Sequence, residues 1–147
     1  MAYEVDAGPP GTALREGVSL ATILLVDDDP LVRRALTLAL ERVGHQVVAA
    51  ENGLDGARRA REGEVALAIV DIHMPEMDGL ELLAQLRTSA PELPVIMMSG
   101  GDQTRDLALL KDAKLLGATA ALAKPFSLDE LYTLTTTVLA SRVPRTG

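Results

Sequence analysis

Asp27, Asp28, Asp71, Ser99 and Lys124 each stand at the end of a short apolar run. The runs are Ile23-Leu24-Leu25-Val26, Val65 to Val70, Val95 to Met98 and Thr119 to Ala123. Short apolar runs of this kind read as buried strands, and the stretches between them carry helical periodicity. The strands are therefore expected to be parallel and covered on both faces. In such a sheet the carboxyl ends of the strands lie along one edge, where ligands bind. Three carboxylates, one hydroxyl and one ammonium then converge on a single rim. Three acids together repel one another unless a cation sits among them, and an oxygen-only ligand set suits Mg²⁺. A hydroxyl and a lysine opposite them can grip the oxygens of a phosphoryl group. The chemistry these residues describe is phosphoryl transfer.

The elements that must position them follow from the rest of the chain. After the first strand, Asp29 is placed to cap a helix and Pro30 to occupy its first turn. Val32, Leu36, Ala39, Leu40 and Val43 then recur at helical spacing up to Gly44, a helix stop. His45 to Ala50 reads as the second strand and Leu54 to Arg61 as a short helix. Leu82, Leu83 and Leu86 mark the third helix, and Leu109, Ala113 and Leu116 the fourth, which Gly117 ends. Ser127 and Glu130 form a capping box for a fifth helix burying Leu128, Leu131, Thr135, Val138 and Leu139. Residues 1–21 hold a Gly8-Pro9-Pro10-Gly11 breaker and no clear period, so a disordered leader is expected there. A short docking helix from Thr12 to Leu20 is the alternative. The compact domain is expected over 22–141, with 142–147 as a short tail too small for an output domain.

Composition excludes several function classes. The 147 residues are 48% hydrophobic, yet Tyr3, Phe126 and Tyr132 are the only aromatics, so the core must be aliphatic. The apolar stretches are strand-sized, well short of a membrane span. The acidic start, Met1-Ala2-Tyr3-Glu4-Val5-Asp6, is wrong for a secretory signal. Cysteine is absent, which fits a cytoplasmic location. Fourteen basic against 21 acidic residues give a net charge of −7, so no basic footprint for nucleic acid is apparent.

With the site residues placed, the chain resembles the receiver domain of two-component response regulators over 22 to about 141. The matching pieces are Ile23-Leu24-Leu25-Val26-Asp27-Asp28-Asp29-Pro30 and Val70-Asp71-Ile72-His73-Met74-Pro75-Glu76-Met77-Asp78-Gly79. Met97-Met98-Ser99-Gly100 and Ala123-Lys124-Pro125-Phe126 complete the set. Each piece alone is weak; four in the right order, each at an expected strand end, are specific. The resemblance implies an α/β, flavodoxin-like, doubly wound sheet of five parallel strands in the order 2-1-3-4-5 with five helices. It also implies a cytoplasmic, bacterial, chemotaxis-type regulator of a single domain, a phosphoacceptor rather than an enzyme.

The roles implied by the resemblance agree with the chemistry. Asp71 matches the carboxylate that takes a phosphoryl group from a phosphohistidine. Asp28 matches a direct Mg²⁺ ligand, Asp27 a holder of metal-bound water, and the backbone carbonyl of His73 a further ligand. Lys124 is expected to pair with Asp71, and with the phosphoryl group once attached. Ser99 is expected to hydrogen-bond a phosphoryl oxygen. Lys124-Pro125 matches a peptide bond that is cis in the family, so Pro125 and Gly79 are assigned structural roles. The partners implied are a sensor histidine kinase or phosphotransfer protein, and a protein target on the surface of helix four, strand five and helix five.

Two other readings fit parts of the chain. Asp27-Asp28-Asp29 also resembles the start of haloacid-dehalogenase-type phosphatases, with Asp27 as nucleophile, and Gly101-Asp102-Gln103-Thr104-Arg105-Asp106 imitates their metal motif. Order speaks against it, because Lys111, Lys114 and Lys124 all follow that motif where the family places its lysine before it. A binding-only pseudo-receiver would lack an acceptor, a metal acid or the lysine, and none is lacking. The chain departs from the receiver pattern at Ala121, where an aromatic switch residue is usual. The Gly100-Gly101 pair is the expected hinge in its place. His73 and Gly101 occupy the two positions that tune dephosphorylation in the family, so neither supplies a carboxylate or amide to position water.

Overall fold

A computed structural model describes residues 12–15, 18–100 and 103–141. Eleven elements follow in order: β1 (Thr12–Arg15), β2 (Val18–Val26), α1 (Pro30–Arg42), β3 (Gln46–Ala50), α2 (Gly53–Glu62), β4 (Leu67–Asp71), α3 (Gly79–Ser89), β5 (Val95–Ser99), α4 (Gln103–Leu115), β6 (Ala120–Ala123) and α5 (Leu128–Ala140). The parallel strands run β3-β2-β4-β5-β6, which is 2-1-3-4-5 when only these five are counted. This is the flavodoxin-like arrangement expected from the sequence, with five helices around it.

Register places the site. Val26 lies opposite Val70, so the residues that follow, Asp27 and Asp71, leave adjacent strands side by side. Asp71 is level with Met98 and Ser99 with Ala123, which carries the rim across to Lys124. β4 and β5 are buried at every position, as central parallel strands covered on both faces must be. One apolar layer joins Leu82, Leu83 and Leu86 of α3 to Leu110 and Ala113 of α4. The opposite layer joins Leu36, Ala39 and Leu40 of α1 to Leu131, Val138 and Leu139 of α5. Each fully buried leucine contributes about 1.5–3 kcal/mol, so these two layers clamp the sheet and hold its rim in place.

Local chemistry sets the helix ends. The Asp29 carboxylate accepts from the Leu31 and Val32 amides at 2.9 and 3.4 Å with Pro30 at the first turn. Asp78 accepts from the Glu81 amide at 2.9 Å to start α3. Ser127 and Glu130 form the reciprocal capping box of α5. Gly44 follows α1 with φ +102°, a conformation that favours glycine.

Three expectations need correction. First, residues 12–15 and 18–21, part of the stretch expected as a disordered leader or in the alternative as a docking helix over Thr12 to Leu20, form strand. Thr12–Arg15 pairs antiparallel with Val18–Ala21, and β2 therefore begins before Thr22. The backbone groups of that extension find partners in β1 and in His45, whose buried Nδ1 accepts from the Ala21 amide at 3.0 Å. Burial lowers the His45 pKa, which suits an acceptor nitrogen. Second, Leu116 is 47% exposed because it lies past the end of α4; Leu110 takes the buried position with Ala113. Third, Leu128 is 45% exposed, since the buried stripe of α5 starts one turn later at Leu131. Residues 1–11, 16–17 and 142–147, on which the rest of the leader and the tail fall, lie outside the described residues. Among the described residues no helix is long and apolar enough to cross a membrane.

Candidate functional site

Asp27, Asp28 and Asp71 each bring a carboxylate oxygen to within 4.8 Å of the others. Asp27 and Asp71 are buried at the ends of β2 and β4, whereas Asp28 is exposed on the rim. Lys124 reaches in from the end of β6. Its Nζ lies 3.2 Å from Asp27 Oδ2 and 3.7 Å from Asp71 Oδ1. Lys124 therefore bridges two carboxylates, Asp71 as expected and, at closer range, Asp27. Ser99 is buried at the end of β5, and its carbonyl accepts from the Lys124 amide at 2.6 Å. The Lys124-Pro125 peptide is cis, as expected.

Electrostatics follow from this packing. Asp71 has its pKa raised to about 6, first because burial penalises its charge, with Asp27 and Asp28 adding repulsion. Lys124 and the backbone N–H of His73 act in the opposite direction. A net excess of buried negative charge remains, which is the condition that draws in a cation.

Two glycines shape the site. A Cβ on Gly79 would collide with the Asp71 carbonyl oxygen and lie 2.7 Å from Ile72 Cα. The Gly79 amide donates to the Ile72 carbonyl at 2.8 Å, closing the loop after the acceptor strand tightly. A Cβ on Gly100 would lie 2.9 Å from Lys124 Cδ, so Gly100 leaves room for the stem of that lysine. Gly101 lies outside the described residues, so half of the expected hinge does too. His73 is exposed, and its side chain borders a cleft of about 420 Å³ with Asp28, Met74, Pro75, Leu80 and Leu109. Ala121 lines a groove of about 450 Å³ with Leu122, Thr133, Leu134 and Thr137.

Sequence reasoning missed one contact at the rim. Arg33 Nη1 donates to the Asp27 carbonyl oxygen at 2.7 Å. The signal that could have pointed to it was a basic residue in the first turn of α1, where the helix dipole disfavours it.

Comparison with known proteins agrees with this geometry. Residues 23–136 match the response regulator receiver domain family. The chain belongs to that family and is a receiver domain of two-component response regulators. It is 38% identical over 127 residues to the DNA-binding transcriptional regulator NtrC of Azospirillum brasilense, covering 86% of this chain and 26% of that protein. It is 38% identical over 123 residues to the protein PilH of Pseudomonas aeruginosa, covering 82% of this chain and 99% of that one. Against NtrC, and GlrR of Escherichia coli at 28%, the chain spans only about a quarter of the relative's length. Among solved structures, a receiver domain protein from Clostridium thermocellum superposes with TM-score 0.77 at 27% identity, over 82% of this chain and 95% of that one. Chemotaxis protein CheY4 of Vibrio cholerae superposes with TM-score 0.73 at 26% identity, over 81% and 98%.

Proposed function

We propose that Asp71 is the phosphoacceptor of this receiver and that it works with Mg²⁺ held by the acid cluster. The observation that carries the proposal is the convergence of three carboxylates within 4.8 Å around a lysine, two of them buried. The residues fit the ion: all donors are oxygen, one carboxylate opens to solvent, and the cluster carries repulsion that a divalent charge relieves. Asp28, Asp71 and the His73 carbonyl would hold the ion directly, and Asp27 would hold its water. Bound there, Mg²⁺ offsets the charge that builds up on the phosphoryl oxygens during transfer.

A carboxylate oxygen of Asp71 attacks the phosphorus of a phosphohistidine. The P–N bond breaks, its electron pair stays on the imidazole nitrogen, which takes a proton, and an acyl phosphate forms on Asp71. Lys124 then turns from its two carboxylates to the phosphoryl oxygens, and Ser99 donates a hydrogen bond to one of them. The donor is a sensor histidine kinase or a phosphotransfer protein. The output is contact with a protein target through the surface of α4, β6 and α5, from the cytoplasm.

Asp28→Ala removes one direct oxygen ligand. Mg²⁺ affinity is expected to fall at least tenfold and phosphorylation by acetyl phosphate to slow at limiting Mg²⁺. Calorimetry is the suitable readout, and equal affinity in the two proteins would show that Asp28 is not a ligand.

Switching in this chain takes a backbone route. Ala121 has no side-chain torsion to rotate, so movement of Ser99 acts through Gly100 and Gly101 on the start of α4. Ser99 contributes one charge-assisted hydrogen bond, worth roughly 1.5–3 kcal/mol, which supports a population shift. Hydrogen exchange with and without beryllofluoride is expected to change protection over residues 100–116. Changes confined to the loop after Asp71 would contradict this route.

A further inference from the structure

Asp27 is held at four of its atoms. Its amide donates to the Ala50 carbonyl at 3.2 Å. Its Oδ1 accepts from the Asp29 amide at 2.9 Å and its Oδ2 from Lys124 at 3.2 Å. Its carbonyl oxygen accepts from Arg33 Nη1 at 2.7 Å. The first three bonds come from groups already at the strand end. The fourth comes from a side chain in a place that local electrostatics disfavours.

Arg33 closes the first turn of α1, and no acidic residue shares that turn. That turn is the positive end of the helix dipole, with Asp29 capping the Leu31 and Val32 amides, and a basic side chain there gains nothing from the dipole. A residue that breaks a local rule is accounted for when a partner compensates it. Here the compensation is the Asp27 carbonyl, with the acid cluster beyond it. That carbonyl belongs to the peptide that links Asp27 to Asp28. Fixing its oxygen fixes the plane of that peptide, which carries the Asp28 nitrogen and Cα, and so limits the directions open to the Asp28 side chain. Asp28 is the exposed member of the cluster, so the backbone it hangs from orients it more than packing does.

We propose that Arg33 is a positioning residue for the acid cluster: its bond to the Asp27 carbonyl keeps the Asp28 carboxylate turned toward Asp71 and raises affinity for Mg²⁺. The inference rests on the Mg²⁺-dependent reading of the cluster. Its sign separates it from simple electrostatics. Removing a positive charge beside a cation site should tighten cation binding through Coulomb's law. Removing a positioning partner should weaken it, and outer partners of metal ligands are worth roughly 10–100-fold in affinity.

The test is Mg²⁺ titration of the full chain by calorimetry and amide chemical shifts, for the unaltered protein, Arg33→Met, Arg33→Lys and Arg34→Met. Arg34 is exposed, neighbours Arg33 and makes the same change in net charge. Arg33→Met is expected to weaken Mg²⁺ roughly tenfold, and Arg34→Met to leave it unchanged or slightly tighter. Arg33→Lys, which keeps a charged donor within reach of the carbonyl, is expected to recover most of the loss. Acetyl phosphate labelling of Arg33→Met should be slow at limiting Mg²⁺ and recover when the ion saturates. Thermal melting checks that Arg33→Met is folded; if it is not, Arg33→Gln is read in its place with the same expectation. Affinity equal to or tighter than that of the unaltered protein would overturn the role of Arg33 alone. Absence of Mg²⁺ binding in the unaltered protein would overturn the reading of the cluster and this role with it.

Discussion

Asp71→Asn is expected to lose all acid-labile phosphorylation, from a kinase or from acetyl phosphate, while becoming more stable at neutral pH without Mg²⁺. The loss follows because an amide nitrogen has no free electron pair of carboxylate strength with which to attack phosphorus. The gain follows from burial. Asp71 is 5% exposed and its pKa is pushed up to about 6, first by burial and then by Asp27 and Asp28. The folded state therefore binds this proton more tightly than the unfolded chain, where a carboxyl titrates near ~4. Stability falls as pH rises from about 4 through 6, because the unfolded state then loses a proton that the folded state is still holding. Above that window the full cost applies, on the order of 3 kcal/mol. Asn keeps the volume and removes the charge. Melting curves in a chelating buffer should separate the two proteins at pH 8 and bring them together near pH 4. A gap that did not change with pH would show that buried charge is not its cause, and undiminished labelling of the variant would remove Asp71 from the mechanism.

Gly79→Ala should carry the largest stability cost of any single methyl added at the rim. The new Cβ meets backbone, the Asp71 carbonyl and Ile72 Cα, and no flexible side chain tip is there to move aside. That backbone is fixed in turn, since Asp71 pairs with Met98 and the Ile72 amide donates to the Met98 carbonyl at 2.9 Å. Forcing atoms into a site this close costs about 1–3 kcal/mol and occasionally more. Here the upper end is expected, together with slower phosphorylation, because the displaced atoms belong to the acceptor residue. Urea denaturation measures the first effect and acetyl phosphate labelling the second. Gly63→Ala is the comparison, with only the Arg59 carbonyl at 3.2 Å in its way. Equal stability of the two variants would show that the loop after Asp71 gives way easily.

The rim was legible because strand ends in a parallel sheet all face one edge, so residue type and position sufficed to bring Asp27, Asp28, Asp71, Ser99 and Lys124 together. Helix starts were legible for a similar reason: Asp29 and Ser127 cap through bonds within a few residues of themselves. What failed depended on partners far away in sequence. Composition made the leader read as disordered, yet the alternating Val18-Ser19-Leu20-Ala21-Thr22 was a strand signal, and pairing with Thr12–Arg15 completes it. Helical spacing alone did not separate Leu110 from Leu116, because the sheet decides which turn of α4 lies over it. The bond from Arg33 to Asp27 and the room that Gly100 leaves for Lys124 exist only once the chain is folded.

The central claim is that phosphate arrives on Asp71, and chemical location of the acyl phosphate tests it most directly. The chain is phosphorylated by acetyl phosphate with Mg²⁺, reduced with borohydride, which converts an aspartyl phosphate to homoserine, and mapped by peptide mass spectrometry. Homoserine is expected at position 71 and nowhere else. Homoserine at position 27 would assign the nucleophile to the first parallel strand, as in the phosphatase reading, and would contradict the role of Asp71 as phosphoacceptor.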